Sequence, residues 1–230
     1  MSEGYMFASY EEAAEKLLEI LPTHQMEDEN WILMALSLAA VPMANFISNS
    51  TGLSFDIMFS EPIFAPNNPE CIIGVVSESE EIVTQSALID SFGIKMDYVY
   101  GEAKRKYEES ILKKIYKYRK GASLAELKGR NVLLLDIGCE SGMRALASMK
   151  TAISKRAKSA SFAVPVIAQN TAAILESEVD GIFYLSRMAN FVCTDFYYKT
   201  KEEELDCEEI LNILESSKYY ISFQKSQGDE

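Results

Sequence analysis

NVLLLDIGCESGMR, residues Asn131 to Arg144, is the stretch that decides the fold. Val132 to Leu135 is a short, unbroken apolar run of the kind that fills a strand covered on both faces, and it ends in an acid, Asp136. A turn containing Gly138, Ser141 and Gly142 follows, and then a helix begins. Strand, small-residue turn and helix in that order build an anion site. Small residues let the backbone approach a ligand closely, and the helix N-terminus offers unpaired N–H groups and a partial positive charge. Asp136, at the carboxyl end of the strand, is placed to accept hydrogen bonds from ribose hydroxyls. Many α/β proteins use the same turn for packing alone, so the rest of the chain has to be weighed with it.

Outward from this stretch the chain alternates. Ser9-Tyr10-Glu11-Glu12 is a capping-box signature, and Ala13, Ala14, Leu17, Leu18 and Leu21 form one apolar stripe, which predicts a helix from Tyr10 to Leu21. Trp31 to Leu36 reads as a buried strand. Pro42 and Gly52 bracket a short helix. Leu53 to Phe59 and Cys71 to Val76 read as strands, with the proline-rich Glu61 to Pro69 as a loop between them. Tyr107, Ile111, Ile115 and Tyr118 recur at helical spacing in a long charged helix closed by Gly121. After Asn131 come strand, helix, strand (Ala160 to Val166), helix, strand (Gly181 to Leu185) and an acidic helix near Glu202 to Leu214. This rhythm predicts an α/β fold with a parallel sheet covered on both faces, and ligands in such sheets bind at the carboxyl ends of the strands. No internal repeat or long linker divides the chain. The expectation is one domain over residues 1–230, with 1–30 as an N-terminal helix and connection and 217–230 as a frayed tail.

At 230 residues and 25.8 kDa the chain is long enough to bury a full core. No apolar run reaches the roughly 18 residues that span a bilayer; the longest, Trp31 to Val41, is broken by Ser37 and followed by Pro42. The N-terminus lacks the basic and apolar regions of a secretory signal. Cys71, Cys139, Cys193 and Cys207 stand far apart, which argues for reduced thiols and a cytoplasmic protein. A net charge of −13 disfavours nucleic acid and anionic membrane as partners. Ten of the 22 basic residues nevertheless lie between Lys104 and Arg130, and five more between Arg144 and Lys158. They form either solvated helix faces or a local positive field beside the turn.

The turn resembles the phosphoribosyl-pyrophosphate (PRPP) loop of type I phosphoribosyltransferases, in which a hydrophobic strand runs into two acids and a small-residue turn ending in Thr-Gly. Three further segments resemble a stand-alone bacterial branch of that family. EPIFAPNNPECIIGVV (Glu61 to Val76) is similar to its "aPxNPElAiGAv" stretch. KIYKYRKGASLAELKGRNVLLLD (Lys114 to Asp136) is similar to "YRxG…dlkGrtVilVDDG", and SFAVPVIAQNT (Ser161 to Thr171) to "vAvPVap". The four segments stand in the right order. The resemblance implies a central, mainly parallel sheet with helices on both faces plus a small hood. It also implies a phosphorylated ribose or nucleotide as small-molecule ligand, and Mg²⁺ wherever PRPP is bound.

By that resemblance Asp136 would hold the ribose hydroxyls, while Gly138, Cys139, Ser141, Gly142, Met143 and Arg144 would form the 5′-phosphate turn. Glu140 would stand where purine-salvage members carry an acid toward the base; it is either a base or a solvated loop acid. The departures are specific. The second loop acid is Ile137, and the final threonine is Arg144, which either pairs with phosphate or points away. The pyrophosphate loop, Pro-Arg-Gly-Gly in the branch, corresponds to Ser37, Leu38, Ala39 and Ala40, and the branch's lysine before "aPxNPE" is replaced by Ser60 or Glu61. Each lost contact to a departing pyrophosphate costs transition-state stabilisation, and every 1.36 kcal/mol or so is about tenfold in rate.

Other chemistry is thin. His24, the only histidine, excludes multi-histidine metal sites and is expected on the surface. Cys139 is either an activated thiol near a helix N-terminus or a space filler. Tyr197 and Tyr198 either stack on a base or belong to the core. Three readings follow: a phosphoribosyltransferase, a catalytically degenerate module that senses a nucleotide or sugar phosphate, and a protein-interaction subunit such as a homodimer.

Overall fold

The computed structural model describes residues 6–199 and 206–224. Ser9 starts helix α1 (Tyr10–Leu18), its hydroxyl oxygen accepting from the Glu12 N–H at 3.2 Å, and Ala13, Ala14 and Leu17 are buried on one face. The helix stops short of Leu21 because the residue before a proline is pushed out of helical conformation, and Pro22 instead opens a short second helix, α2 (Thr23–Asp28). His24 lies exposed on it. Strand β1 (Ile32–Ala35) is wholly buried. Helix α3 (Val41–Thr51) carries Pro42 in its first turn and ends at Gly52 in left-handed conformation, as the two punctuating residues predict. Strand β2 (Phe55–Ile57) follows.

The stretch Glu61 to Pro69 is not the loop expected of it. It forms most of a hairpin, β3 (Ser60–Ala65) and β4 (Asn68–Ser77), turning at Pro66 and Asn67. Pro62 is tolerated because β3 pairs with β4 alone and is an edge strand. With β5 (Ile82–Thr84) the hairpin makes a three-stranded antiparallel sheet. Helix α4 (Ser86–Ser91) and helix α5 (Met96–Lys106) pack against it. A π-helical turn (Tyr107–Ile111) carries α5 directly into α6 (Leu112–Arg119). This unit is the hood, and it rests on the helix that follows the quoted turn.

The central sheet continues with β6 (Asn131–Leu135), α7 (Met143–Ser154), β7 (Ser159–Ala168), α8 (Gln169–Leu175) and β8 (Gly181–Met188). Its order is β2-β1-β6-β7-β8, and every neighbouring pair is parallel. Successive residues face opposite sides. Leu33, Ala35, Leu133 and Leu135 pack into one core with α1 and α3, whereas Ile32, Met34, Val132 and Leu134 pack into the other with α7 and α8. Both faces are thus covered, which is why the strands are continuously apolar. Strand order reverses between β1 and β6, and Ala35 lies beside Leu135. The crevice at that switch point, beyond the carboxyl ends of these two strands, is where such sheets bind ligands.

The acidic helix expected over Glu202 to Leu214 is α9 (Cys207–Ser216); residues 202–205 lie outside the described residues. The tail read as frayed after Ser216 is docked as far as α10 (Ile221–Gln224). The Phe55 N–H bonds the Tyr219 carbonyl at 3.0 Å, and buried Tyr220 donates to the Tyr118 carbonyl at 2.9 Å. The last residues, 225–230, lie outside the described residues. Among the described residues no helix is long and apolar enough to cross a membrane.

Candidate functional site

The chain leaves β1 through Leu36 into Ser37, whose hydroxyl oxygen accepts from the Ala40 N–H at 3.2 Å and so caps a tight turn over Leu38–Ala40. The same hydroxyl donates to Asp136 Oδ1 at 2.8 Å, joining the two loops at the switch point across 99 residues of sequence. Ala39 and Ala40 are fully buried and Leu38 half-buried. Of the four residues in the pyrophosphate-loop position, Ser37 is the one that reaches the predicted site, and it does so through Asp136.

Asp136 ends β6 with 4% of its surface exposed. Its Oδ1 also accepts from the Ile137 N–H at 3.0 Å, while Oδ2 accepts from Arg144 Nη1 at 2.9 Å. The arginine therefore neither points away nor stands open for phosphate: from the first turn of α7 it folds back onto the acid. Ile137 is 2% exposed and packs into the core, so the position of the family's second acid is turned away from solvent. Its carbonyl accepts from the buried Tyr198 hydroxyl at 2.7 Å.

The turn itself is tied to the sheet. The Cys139 N–H donates to the Val166 carbonyl at 3.0 Å, and the Ala168 N–H to the Cys139 carbonyl at 2.9 Å. Cys139 is 5% exposed, and burial, reinforced by the nearby Asp136 charge, pushes its thiol up to about 12, as suits a residue that fills space. The two glycines have steric reasons to be there. A Cβ on Gly138 would stand 2.4 Å from Thr194 Oγ1, and one on Gly142, already at φ +73°, would stand 2.8 Å from Thr171 Cγ2. The Thr171 hydroxyl donates to the Glu140 carbonyl, leaving the Glu140 side chain exposed. Ser141 is exposed, and Met143 is buried with Val75 and Val83 of the hood. Among the described residues no side chain caps α7, which leaves its first N–H groups facing the crevice.

Together these elements enclose a cavity of about 210 Å³. The turn from Asp136 to Ala145 forms one wall, Ser60, Pro62, Ile72 and Val75 of the hood another, and Thr194 covers Gly138. Among the described residues lining it, Arg144 is the one that is basic. Glu61 alternates to the other side of β3, where it meets Lys114 at 2.5 Å. Lys104 pairs with Glu108 at 3.9 Å and Arg105 with Glu102 and Glu109 at 2.7 and 2.8 Å, away from the cavity. Lys104 and Arg105 are therefore bound up with acids of their own helix and do not supply the missing arginine. Tyr197 and Tyr198 are both core residues, packed with Phe191 and with Phe7 and Tyr10 respectively. Among the described residues no group of three or more His, Cys, Asp or Glu side chains is placed to hold a metal ion.

Sequence reasoning missed the Ser37–Asp136 bond, the hood wall and Thr194. The first needs the register of β1 against β6. The hood wall was hidden by prolines that read as a loop, and nothing local marks Thr194.

No protein-family model matches the chain. Two Mycobacterium tuberculosis proteins, from strains CDC 1551 and H37Rv, each bearing the name "Putative phosphoribosyl transferase", are 22% identical to it over 192 residues. The match takes in 83% of this chain but 43% of theirs, so the chain spans less than half the length of these relatives. Among solved structures, that of TT1426 from Thermus thermophilus superposes with a TM-score of 0.74 at 24% identity, covering 93% of this chain and 99% of that one. The chain is thus similar in sequence to proteins named as putative phosphoribosyl transferases, and it shares its α/β fold with the Thermus thermophilus protein.

Proposed function

We propose that this chain binds PRPP or a related phosphorylated ribose at the turn Gly138–Arg144, and that it acts as a binding module of the phosphoribosyltransferase fold in which transfer is slow or lost. One observation carries the reading: the carboxylate of Asp136 is satisfied by Ser37, Ile137 and Arg144, with no second acid beside it. The first turn of α7, exposed Ser141 and Arg144 together suit a phosphate. Asp136 suits ribose hydroxyls. Glu140, exposed, is the other acid besides Asp136 among the described residues lining the cavity.

Transfer asks for more. A departing pyrophosphate needs cations, and the Ser37–Ala40 turn, which has no basic residue, contributes none. A developing positive ribose centre is stabilised by fixed negative charge, and Asp136 stands there without a second acid, Ile137 occupying that position. Mg²⁺ enters this reading only with PRPP, carried by its diphosphate. Asp136, with both oxygens turned to protein donors, is not placed to ligate it directly.

Calorimetric titration with PRPP, with and without Mg²⁺, and with ribose 5-phosphate tests the proposal. Ser141→Asp, at an exposed position of the turn, sets a negative charge where the phosphate would lie. Binding to the wild type that this variant abolishes is the expected result. Absence of heat with every ligand sinks the reading, and catalytic release of pyrophosphate in the presence of a nucleobase would replace the module by an enzyme.

A further inference from the structure

Asp136 and Arg144 hold each other inside the same cavity that the two ends of a phosphorylated ribose would occupy. The pair is asymmetric. The Asp136 side chain is 5% exposed and the Arg144 side chain 44%. Oδ1 of Asp136 is fixed by two donors, the Ser37 hydroxyl at 2.8 Å and the Ile137 N–H at 3.0 Å, whereas Oδ2 faces Arg144 Nη1 at 2.9 Å. A half-exposed guanidinium on a helix turn is screened by water and can exchange one anion for another. A buried carboxylate oxygen deprived of its donor is left at a desolvation cost unless something replaces that donor.

We infer that Arg144 changes partner when ligand binds, moving from Asp136 to the ligand's phosphate, and that the vicinal hydroxyls of the sugar take its place on Oδ2. The inference rests on the binding reading above and adds a coupling to it: phosphate and diol are read together, and neither half is held well alone. Inorganic phosphate can draw Arg144 away but leaves Oδ2 to water, which replaces the lost charge-assisted bond only in part. A neutral sugar has nothing with which to displace the arginine. A 2-deoxyribose 5-phosphate takes the arginine and returns one hydroxyl fewer. The favoured ligand class is thus the vicinal-diol sugar phosphate, whose compact members suit a cavity of about 210 Å³.

Titration of the whole chain with ribose 5-phosphate, 2-deoxyribose 5-phosphate and inorganic phosphate tests this, in the wild type, Asp136→Asn and Arg144→Gln. The wild type is expected to prefer ribose 5-phosphate over each of the others by on the order of tenfold, the worth of a hydrogen bond to a charged group. Asp136→Asn removes the charge that holds Arg144 at Oδ2, so inorganic phosphate tightens by a similar factor and the preference for the diol collapses. Arg144→Gln weakens both sugar phosphates while keeping the diol preference; being a half-exposed position, it keeps the test decisive if Asp136→Asn does not fold. Equal wild-type affinities for the two sugar phosphates overturn the inference. So does phosphate affinity that is unchanged or weaker in Asp136→Asn. Either result leaves the binding reading standing as long as ribose 5-phosphate binds the wild type; if no phosphate binds any variant, both fail.

Discussion

Two arginine–carboxylate clusters in this molecule use the same chemistry at different depths. Arg119, 1% exposed, pairs with Glu78, lies 3.9 Å from Asp56 and sets its guanidinium 5.2 Å from the Phe59 ring centroid. Arg144 pairs with Asp136 at 2.9 Å with its side chain 44% exposed. The first cluster joins three parts of the chain: Asp56 on strand β2 of the central sheet, Glu78 just past the hood strand β4, and Arg119 at the end of α6. Asp56 further accepts from the Ile57 and Ala125 N–H groups, and Glu78 from the Phe59 N–H. The three charged side chains are 0 to 4% exposed. Depth therefore separates a fixed joint from a contact that a ligand can exchange.

The largest effect is expected at the joint. Arg119→Met keeps much of the side-chain volume but leaves two buried carboxylates without their cation, a loss of about 3–5 kcal/mol. Urea denaturation measures it directly. A loss under about 1 kcal/mol would mean that the buried cluster is no tighter than the exposed one, and the contrast would fail.

Glu78 sharpens the comparison through pH. Its burial raises its carboxyl above the usual glutamate range, with Arg119 pulling the other way. The folded state therefore holds the Glu78 proton to higher pH than the unfolded chain does. Stability from this group is present below the ordinary glutamate value and is lost as pH rises through the raised one, at up to about 1.4 kcal/mol for each pH unit between them. Denaturation at a series of acidic pH values should show the wild type losing stability relative to Glu78→Gln across that window, with a constant difference above it. Parallel curves throughout would show that the Arg119 charge cancels the burial.

The parts of this fold that were legible in the sequence are those set by neighbours in the chain. The apolar run Val132 to Leu135, the Ser9 capping box and the Pro42–Gly52 bracket each carry their own instructions, and each forms the expected element. Glu61 to Pro69 was misread because proline signals a loop unless the strand lies at an edge, and edge position belongs to the sheet and not to the segment. The site was legible as a list of residues but not as an arrangement. Gly138 and Gly142 read as residues that let a phosphate approach, and they also make room for Thr194 and Thr171, which no local pattern announces. Arg144 read as facing a phosphate or pointing away. That it turns back to Asp136 depends on how the first turn of α7 is set over the end of β6, which is a tertiary fact.

The smallest effect on stability is expected at Arg144, and it is the one that tests the contrast most closely. Removing the guanidinium in Arg144→Gln leaves Asp136 with the Ser37 and Ile137 donors on Oδ1, while Oδ2 opens onto the cavity, where water can reach it. The pair is also screened on the arginine side. A loss of about 1 kcal/mol or less is expected, against several at Arg119. Thermal denaturation of the two variants under identical conditions makes the comparison. If Arg144→Gln costs as much as Arg119→Met, the arginine is a structural tie that holds the turn to the strand. It could then not leave Asp136 for a phosphate, and depth would no longer distinguish the two clusters.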